Sequence, residues 1–261
     1  MSTEGLVSTQ PVAFQHSPSD GECNCPIHRN QTIPPFTAPL GLPFSNDVSI
    51  KPISQEQAEE VYEAHHGYMN GDLHPANLAH HGLYYQDLLG AITYRYPFFS
   101  KKKLHFDSNG DLQPRPYTEQ DFESLPGDIE PRARSLLSGV TDGDIDHTEV
   151  LSGDQFVEAN RICIGERMPN LASCSLARSQ EYFVESPDCP DGIEYLITYV
   201  VADFEGSMIK ALRGKGWTCI GWSEPSRAGN REHKTIRDHY KWVFACPVSK
   251  VYEQMNLSEW K

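Results

Sequence analysis

The stretch from Leu196 to Arg227, LITYVVADFEGSMIKALRGKGWTCIGWSEPSR, decides the predicted fold. It begins within a continuous apolar run that ends at Val201, which is typical of a strand covered on both faces. An acidic turn and a short helix, from Ser207 to Arg213, follow this strand. Trp217 then opens a second strand. The stretch therefore predicts a strand, a short helix and another strand in close succession.

The rest of the chain predicts further strands and helices around this unit. A short strand over 48–52 precedes a helix that Ser54 caps, because Gln57 three residues later completes a capping box. A hairpin around Asp87, a strand over 155–165, a helix from Asn170 to about 185 and a strand over 240–247 complete the series. We expect residues 46–261 to form a single domain.

Two segments stand apart from this pattern. Residues 1–45 are rich in Ser, Pro, Gln and Gly, and we predict a disordered or extended segment there. Residues from about 100 to 153 contain several Pro and Gly and one short predicted helix, Glu130 to Leu137. We interpret this second segment as an insertion between the third and fourth strands of the domain.

Three side chains in the N-terminal segment have the chemistry of zinc ligands. Cys23, Cys25 and His28 lie close together in the sequence, and thiolates and imidazole suit zinc. A structural zinc site needs four ligands, and no second Cys or His pair follows at the usual spacing. The sequence leaves both a zinc site and an unstructured segment open, and we predict no metal centre elsewhere in the chain.

The motifs TYVVADFEGS, from Thr198, and ALRGKGWTCIG, from Ala211, resemble the second half of the GNAT acetyltransferase core. Their sequences are similar to those of the Mom-type branch of that superfamily, which consists of phage enzymes that modify adenine in DNA. The resemblance implies an α/β (α+β) fold with a mixed, mostly antiparallel sheet flanked by helices. It also implies a V-shaped splay between the fourth and fifth strands. These strands carry Arg161 and Tyr199 and should be adjacent and parallel.

The residues that match the Mom-type pattern are implied to be catalytic. Tyr199 would donate a proton or a hydrogen bond to a leaving group. Arg161 would orient an anionic group, and Asp203 would accept a proton from an amine. Tyr94, or alternatively Tyr96, would face the same cleft from the third strand. In the alternative, purely structural interpretation, Tyr199 is a half-buried strand residue and Asp203 forms a turn.

The resemblance also implies acetyl-CoA, or a related acyl-CoA, as the cofactor. In the family the pyrophosphate lies at the start of the helix after the fourth strand, because the first amides of a helix are unpaired there. The corresponding candidates in this chain are Arg167, Asn170, Ser173 and Ser175. The loop before this helix departs from the family pattern, since it has one glycine and the acidic Glu166, and this departure leaves coenzyme A binding open.

The charge of the chain indicates whether nucleic acid is a plausible partner. The formal net charge is −14, which opposes binding to nucleic acid, because phosphate neutralisation dominates such binding. Residues 206–241 are the exception, with eight Lys and Arg against three Asp and Glu. This region is a candidate DNA-binding surface or, alternatively, an ordinary solvated face.

Three functions follow from the sequence as alternatives. The first is a GNAT-fold transferase that modifies the exocyclic amine of adenine in DNA, in a viral or mobile-element context. The second is an acyl-CoA-dependent N-acetyltransferase of a small amine or a protein, and the third is a non-catalytic binding or virion protein on the same scaffold. Because no apolar run reaches the about 20 residues of a membrane helix and no signal peptide is evident, we expect no membrane partner and a cytoplasmic location, in the host cytoplasm if the chain is viral.

Overall fold

The computed structural model describes residues 48–65, 73–85, 87–165, 171–202, 208–225 and 239–258. The N-terminal segment lies outside the described residues, and so do the candidate zinc ligands Cys23, Cys25 and His28. Among the residues that the structure describes, no helix combines the length and the apolar character needed to cross a membrane.

The main sheet confirms the predicted mixed architecture. In the described part of the chain it has seven strands in the order β1-β2-β3-β7-β8-β10-β9. They are β1 (Ser49–Pro52), β2 (Asn77–Tyr85), β3 (Asp87–Arg95), β7 (Phe156–Ile164), β8 (Tyr195–Val201), β9 (Thr218–Ser223) and β10 (Lys241–Pro247). Neighbouring strands are antiparallel except for β7 and β8, which are parallel as predicted.

Helices cover both faces of this sheet. They are α1 (Gln55–His65), α2 (Glu119–Glu123), α3 (Glu130–Leu137), α4 (Leu171–Glu185), α5 (Met208–Arg213) and α6 (Val248–Ser258). Ser54 and Gln57 form the predicted capping box at the start of α1, with bonds of 3.2 and 3.0 Å. The apolar residues of α1 cover one face of the sheet, which we call the α1 face. α4, α5 and α6 pack on the opposite face, which we call the α4 face.

The segment from 100 to 153 is more regular than its sequence predicts. The predicted helix is confirmed as α3, but the segment also contains α2 and the strands β4 (Lys101–Phe106), β5 (Leu112–Gln113) and β6 (His147–Ser152). These strands form a small antiparallel sheet in the order β5-β4-β6. Leu104 and Phe106 point inward and join a cluster with Ile197 and Val243 of the main sheet. The small sheet therefore covers β8 and β10 on the α1 face.

A close backbone approach fixes the end of the small sheet to the edge of the main sheet. The ring of Tyr117 stacks on Trp222 of β9 at 3.9 Å, and its hydroxyl accepts a hydrogen bond from the Trp222 amide. Gly221 makes this approach possible, because a Cβ there would lie 2.4 Å from the Tyr117 hydroxyl. Its φ of +151° is also a conformation that glycine adopts most readily.

Candidate active site at the split between two parallel strands

The two parallel strands of the sheet pair over only a short length. Phe156, Val157 and Glu158 of β7 are in register with Tyr195, Leu196 and Ile197 of β8, and the pairing stops there although both strands continue. The Thr198 hydroxyl donates a 2.7 Å hydrogen bond to the freed carbonyl of Ala159. The chain thus has a split in its sheet where the GNAT resemblance predicts the splay.

A β-bulge at the start of the split sets which side chains face it. Thr93 of β3 is in register with Arg161, but the next residue, Tyr94, is in register with Ala159, so Asn160 is the extra residue. The bulge puts Glu158 and Arg161 on the α1 face although they are three positions apart, a spacing that would place them on opposite faces of a regular strand. Ala159 and Ile162 pack into the core on the α4 face.

An ion pair lies beside the last paired residues. The Arg95 guanidinium donates to both carboxylate oxygens of Glu158 at 2.9–3.0 Å, and their side chains are 16% and 7% exposed. Burial raises the pKa of Glu158, against the opposing effect of the Arg95 charge. A buried carboxyl whose pKa is raised in this way holds a proton more readily than an exposed carboxyl does, which is a common feature of functional sites.

Tyr199 lies on the same face, one strand away. It is half-buried and packs with Phe99 against the cluster under the small sheet. Burial raises the pKa of its phenol, and the nearby charge of Glu158 raises it further. The phenol therefore keeps its proton and serves as a hydrogen-bond donor. The structure brings Tyr199 together with Glu158 and Arg95.

Arg161 also lies on the α1 face, but with different neighbours. It is buried, and its guanidinium carbon is 5.3 Å from the centre of the Tyr62 ring of α1. The hydroxyls of Tyr62 and Thr93 share a 2.8 Å hydrogen bond, and Thr93 is also 2.9 Å from Nδ1 of His80. This chain of contacts ties α1 to β3 beside the split and gives Arg161 a fixed environment.

The structure places Tyr94 away from these residues, contrary to the prediction. Tyr94 points to the α4 face, where its ring stacks on Phe183 at 4.1 Å and its hydroxyl is 2.9 Å from that of Ser179. Because consecutive strand residues alternate between faces, Tyr94 and Arg95 point to opposite faces of the sheet. The alternative, Tyr96, follows β3 and is 44% exposed.

Ser173 and Ser175 lie on α4 and therefore on the α4 face. Ser175 is fully buried one turn before Ser179, which contacts Tyr94. The resemblance would place Tyr199 within reach of these serines, but the sheet separates them from Tyr199. The physical reason is the crossover from β7 to β8, which places the connecting helix on one face only.

The buried His81, on the α4 face, should make the stability of the folded protein depend on pH. It is buried, its Nδ1 is 3.0 Å from the Ser179 hydroxyl, and burial lowers its pKa from 6.5 to about 4. The unfolded chain therefore binds a proton that the folded chain excludes between these two values, and stability falls as the pH falls through this window. We expect this residue to cost about 2 kcal/mol of unfolding free energy between pH 7 and pH 5.

Urea unfolding at both pH values tests this expectation. In His81→Asn the amide can still bond Ser179 but does not titrate, so the variant should lose about 2 kcal/mol less than the parent over the same interval. An equal loss in both proteins would show that His81 is not the titrating group.

Three of the predicted site residues, Asp203, Arg167 and Asn170, lie outside the described residues. The one glycine of the loop, Gly165, is described, and packing explains it. A Cβ at Gly165 would lie 2.9 Å from the ring of His65 at the end of α1, and its amide donates to the Leu89 carbonyl at 2.7 Å. This glycine therefore serves the contact between α1 and β7.

The described residues fit an acyl-CoA in two respects. α4 begins at Leu171, which packs near Ile164 at the end of β7, so the start of the helix lies at the open end of the split, where an anion is favoured. The Ser175 hydroxyl is fully buried and has no hydrogen-bond partner among the described residues. A buried polar atom without a partner costs about 1–3 kcal/mol, and a bound polar group would remove that cost.

The sequence prediction missed Glu158 and Arg95. A signal was present, because each is a charged residue in a mostly apolar strand, FVEANRICI and DLLGAITYR. Buried charges are paired in most proteins, so these two strands could have been expected to pair. The bulge at Asn160, which sets the register, was not visible in the sequence.

Comparison with protein-family models and with curated proteins finds no match. Among solved structures, the chain is similar to a spermidine N-acetyltransferase chimera of Vibrio cholerae SpeG and hSSAT, with 7% identity, a TM-score of 0.42 and coverage of 79% of this chain and 98% of that one. It is also similar to a probable GNAT-family acetyltransferase from Chromobacterium violaceum, with 10% identity, a TM-score of 0.39 and coverage of 78% and 89%.

A third similar structure is FeeM, an N-acyl amino acid synthase from uncultured soil microbes. Here the identity is 14%, the TM-score 0.37 and the coverage 82% of this chain and 98% of that one. At these values the likeness assigns neither a substrate nor a residue role. The class of the fold follows from the strand order of this chain, a mixed and mostly antiparallel sheet with helices on both faces and one parallel pair that splits.

Proposed function

We propose that this protein is an acyl-CoA-dependent N-acyltransferase. The observation that carries the proposal is the split between β7 and β8, where pairing stops after Glu158 and Ile197. Glu158 and Tyr199 lie on one face of this split, a carboxyl with a raised pKa beside a phenol that keeps its proton. A base and an acid at the point where two strands part suit the transfer of an acyl group to an amine.

The proposed roles of Glu158 and Tyr199 follow from the ionisation of their side chains. A bound acyl-CoA would supply a thioester, whose C–S bond would break as the new N–C bond to the amine forms. The Glu158 carboxylate accepts the proton that the amine loses. The Tyr199 hydroxyl donates a hydrogen bond or a proton to the departing sulfur. Arg95 holds the carboxylate of Glu158 in place through two parallel hydrogen bonds.

The cofactor would be held by residues at the start of α4. Ser173, Ser175 and the first-turn amides of α4 are proposed to bind its polar groups, together with Arg167 and Asn170 in the preceding loop. Arg161 is proposed to orient an anionic group from the α1 face. Asp203 follows β8 in sequence and remains a proposed second proton acceptor.

A more specific candidate is transfer to the exocyclic amine of adenine in DNA. The sequence of residues 198–221 supports this candidate. The basic region 206–241 would contact the duplex, and it includes Lys210, Arg213, Lys215 and Lys241. To reach that amine, the base would have to leave the duplex at a cost of a few kcal/mol. The alternative acceptors are a small amine or a protein, and a cytoplasmic location suits each of them.

The proposal is tested by measuring thiol release from acetyl-CoA. The purified chain is incubated with polyamines, lysine peptides and adenine-containing DNA in turn, and each product is identified by mass spectrometry. We expect acceptor-dependent thiol release and an acyl mass on one class of acceptor. If no acceptor causes thiol release, although the protein unfolds cooperatively, the result would support the non-catalytic scaffold.

A further inference from the structure

The outward side of the small sheet presents lysines without carboxylates between them. In register across β4 and β6, Lys101 lies opposite Ser152, and Lys103 lies opposite Val150. Lys101 and Lys103 are exposed and make no ion pair within the described part of the chain. The next outward residue, His105, is in register with Thr148 and Gln113. This outward face is therefore cationic on a chain whose net charge is −14.

Two exposed aromatic rings lie in the segment that connects β3 to β4. Phe98 is 77% exposed, and Tyr96 is 44% exposed. The guanidinium of Arg95 lies 4.2 Å from the centre of the Phe98 ring. The contact with Arg95 holds the Phe98 ring in place while most of its surface faces solvent. The exposed face of this ring is therefore available to a partner that binds beside it.

A shallow depression of about 370 Å³ lies between the aromatic residues and the lysine face. Tyr96 and Phe99 supply its rings, and Ser100, Ser152 and Asp154 supply its polar groups. Because Ser152 is in register with Lys101, this lysine lies at the rim of the depression. A flat ring could enter between the aromatic side chains, and a donor on its edge could reach the Asp154 carboxylate.

We propose that this surface, formed by Lys101, Lys103, Phe98 and the depression, binds single-stranded nucleic acid. The lysines face the phosphates, and unstacked bases stack on Phe98 and Tyr96, which is how proteins hold single strands. Asp154 repels phosphate but accepts hydrogen bonds from the amino groups of adenine and cytosine. The surface is distinct from the basic region 206–241, and the inference does not depend on acyl transfer.

Fluorescence anisotropy without acyl-CoA tests the proposal. The probes are labelled single strands of about 12 nucleotides, made of adenine, cytosine or thymine alone. We expect salt-sensitive binding in which the thymine strand, which has no amino group, binds most weakly. Lys101→Ala/Lys103→Ala should weaken binding and lower the salt dependence by about 0.7 for each lysine. Phe98→Ala should weaken binding by about tenfold.

The matched control is Lys51→Ala, which removes an exposed lysine from β1 at the opposite edge of the main sheet. We expect its affinity to equal that of the parent. Several results would overturn the proposal: no binding at low salt, the same affinity in the double lysine variant, or equal binding of a duplex or of polyglutamate. Binding by a protein without transferase activity would support this inference while the proposed function fails.

Discussion

Tyr199→Phe is expected to lower the rate of acyl transfer by roughly 10²–10⁴-fold, which is the usual effect of removing one positioned acid or donor. The substitution keeps the ring, which packs with Phe99 under the small sheet, and removes only the hydroxyl. We therefore expect the free energy of unfolding to change by less than about 1 kcal/mol. The rate is measured as thiol release at saturating acetyl-CoA, and stability by urea unfolding.

Tyr195→Phe is the matched control for this change. Tyr195 lies on the same strand and the same face, four residues earlier, and packs on Phe156 where β7 and β8 are still paired. Its hydroxyl is away from the split, so the variant should keep the parent rate. Equal losses in both variants, or a Tyr199→Phe protein at full rate, would remove the proposed role of Tyr199.

Glu158→Gln is expected to affect both stability and rate. The substitution leaves the Arg95 guanidinium without its carboxylate in a site where the two side chains are only 16% and 7% exposed. Breaking a buried ion pair on one side costs about 3 kcal/mol or more. The rate should also fall by roughly 10²-fold or more, because an amide cannot accept the proton of the amine.

A double replacement separates these two effects. Arg95→Met/Glu158→Leu removes both charges together, and such apolar replacements often restore the stability that a single change loses. We expect near-parent unfolding but no transfer. An active double variant would show that the ion pair is structural only. As a control, Glu130→Gln breaks a pair with Arg134 in which both side chains are about one-third exposed, and it should cost less than about 1 kcal/mol.

The pH profile gives a further measure of Glu158. Because burial raises the pKa of this carboxyl, the rate should rise with pH in a window above the ordinary value of 4.5. The acidic limb should be absent from the residual activity of Glu158→Gln. A limb that persists unchanged in this variant would assign the titration to another group.

Much of the fold could be predicted from the sequence because its elements carry local signals. The apolar run of β8 and the capping box at Ser54 each specify an element without tertiary information. The small sheet could not be predicted in this way. Its inward apolar residues, Leu104 and Phe106, follow three consecutive lysines, and its strand partner β6 lies forty residues further along the chain.

The candidate site was less predictable, because it depends on the faces and registers of strands. Tyr199 could be selected from its motif, but the pairing of Glu158 with Arg95 depends on a register that the bulge at Asn160 shifts. The face of Tyr94 depends on the phase of the alternation within β3 itself. A one-residue change in phase exchanges the two faces of a strand, and no single-sequence pattern in β3 fixes that phase.

Calorimetric titration with coenzyme A tests the central claim most directly, because every proposed step requires the cofactor to bind at the split between β7 and β8. We predict one site per chain with a dissociation constant in the range of about 1–100 μM, near −8 to −5 kcal/mol. Acetyl-CoA should compete for that site, and the rates of Tyr199→Phe should fall without a change in this affinity. No binding at about 1 mM coenzyme A, in a protein that unfolds cooperatively, would contradict the account.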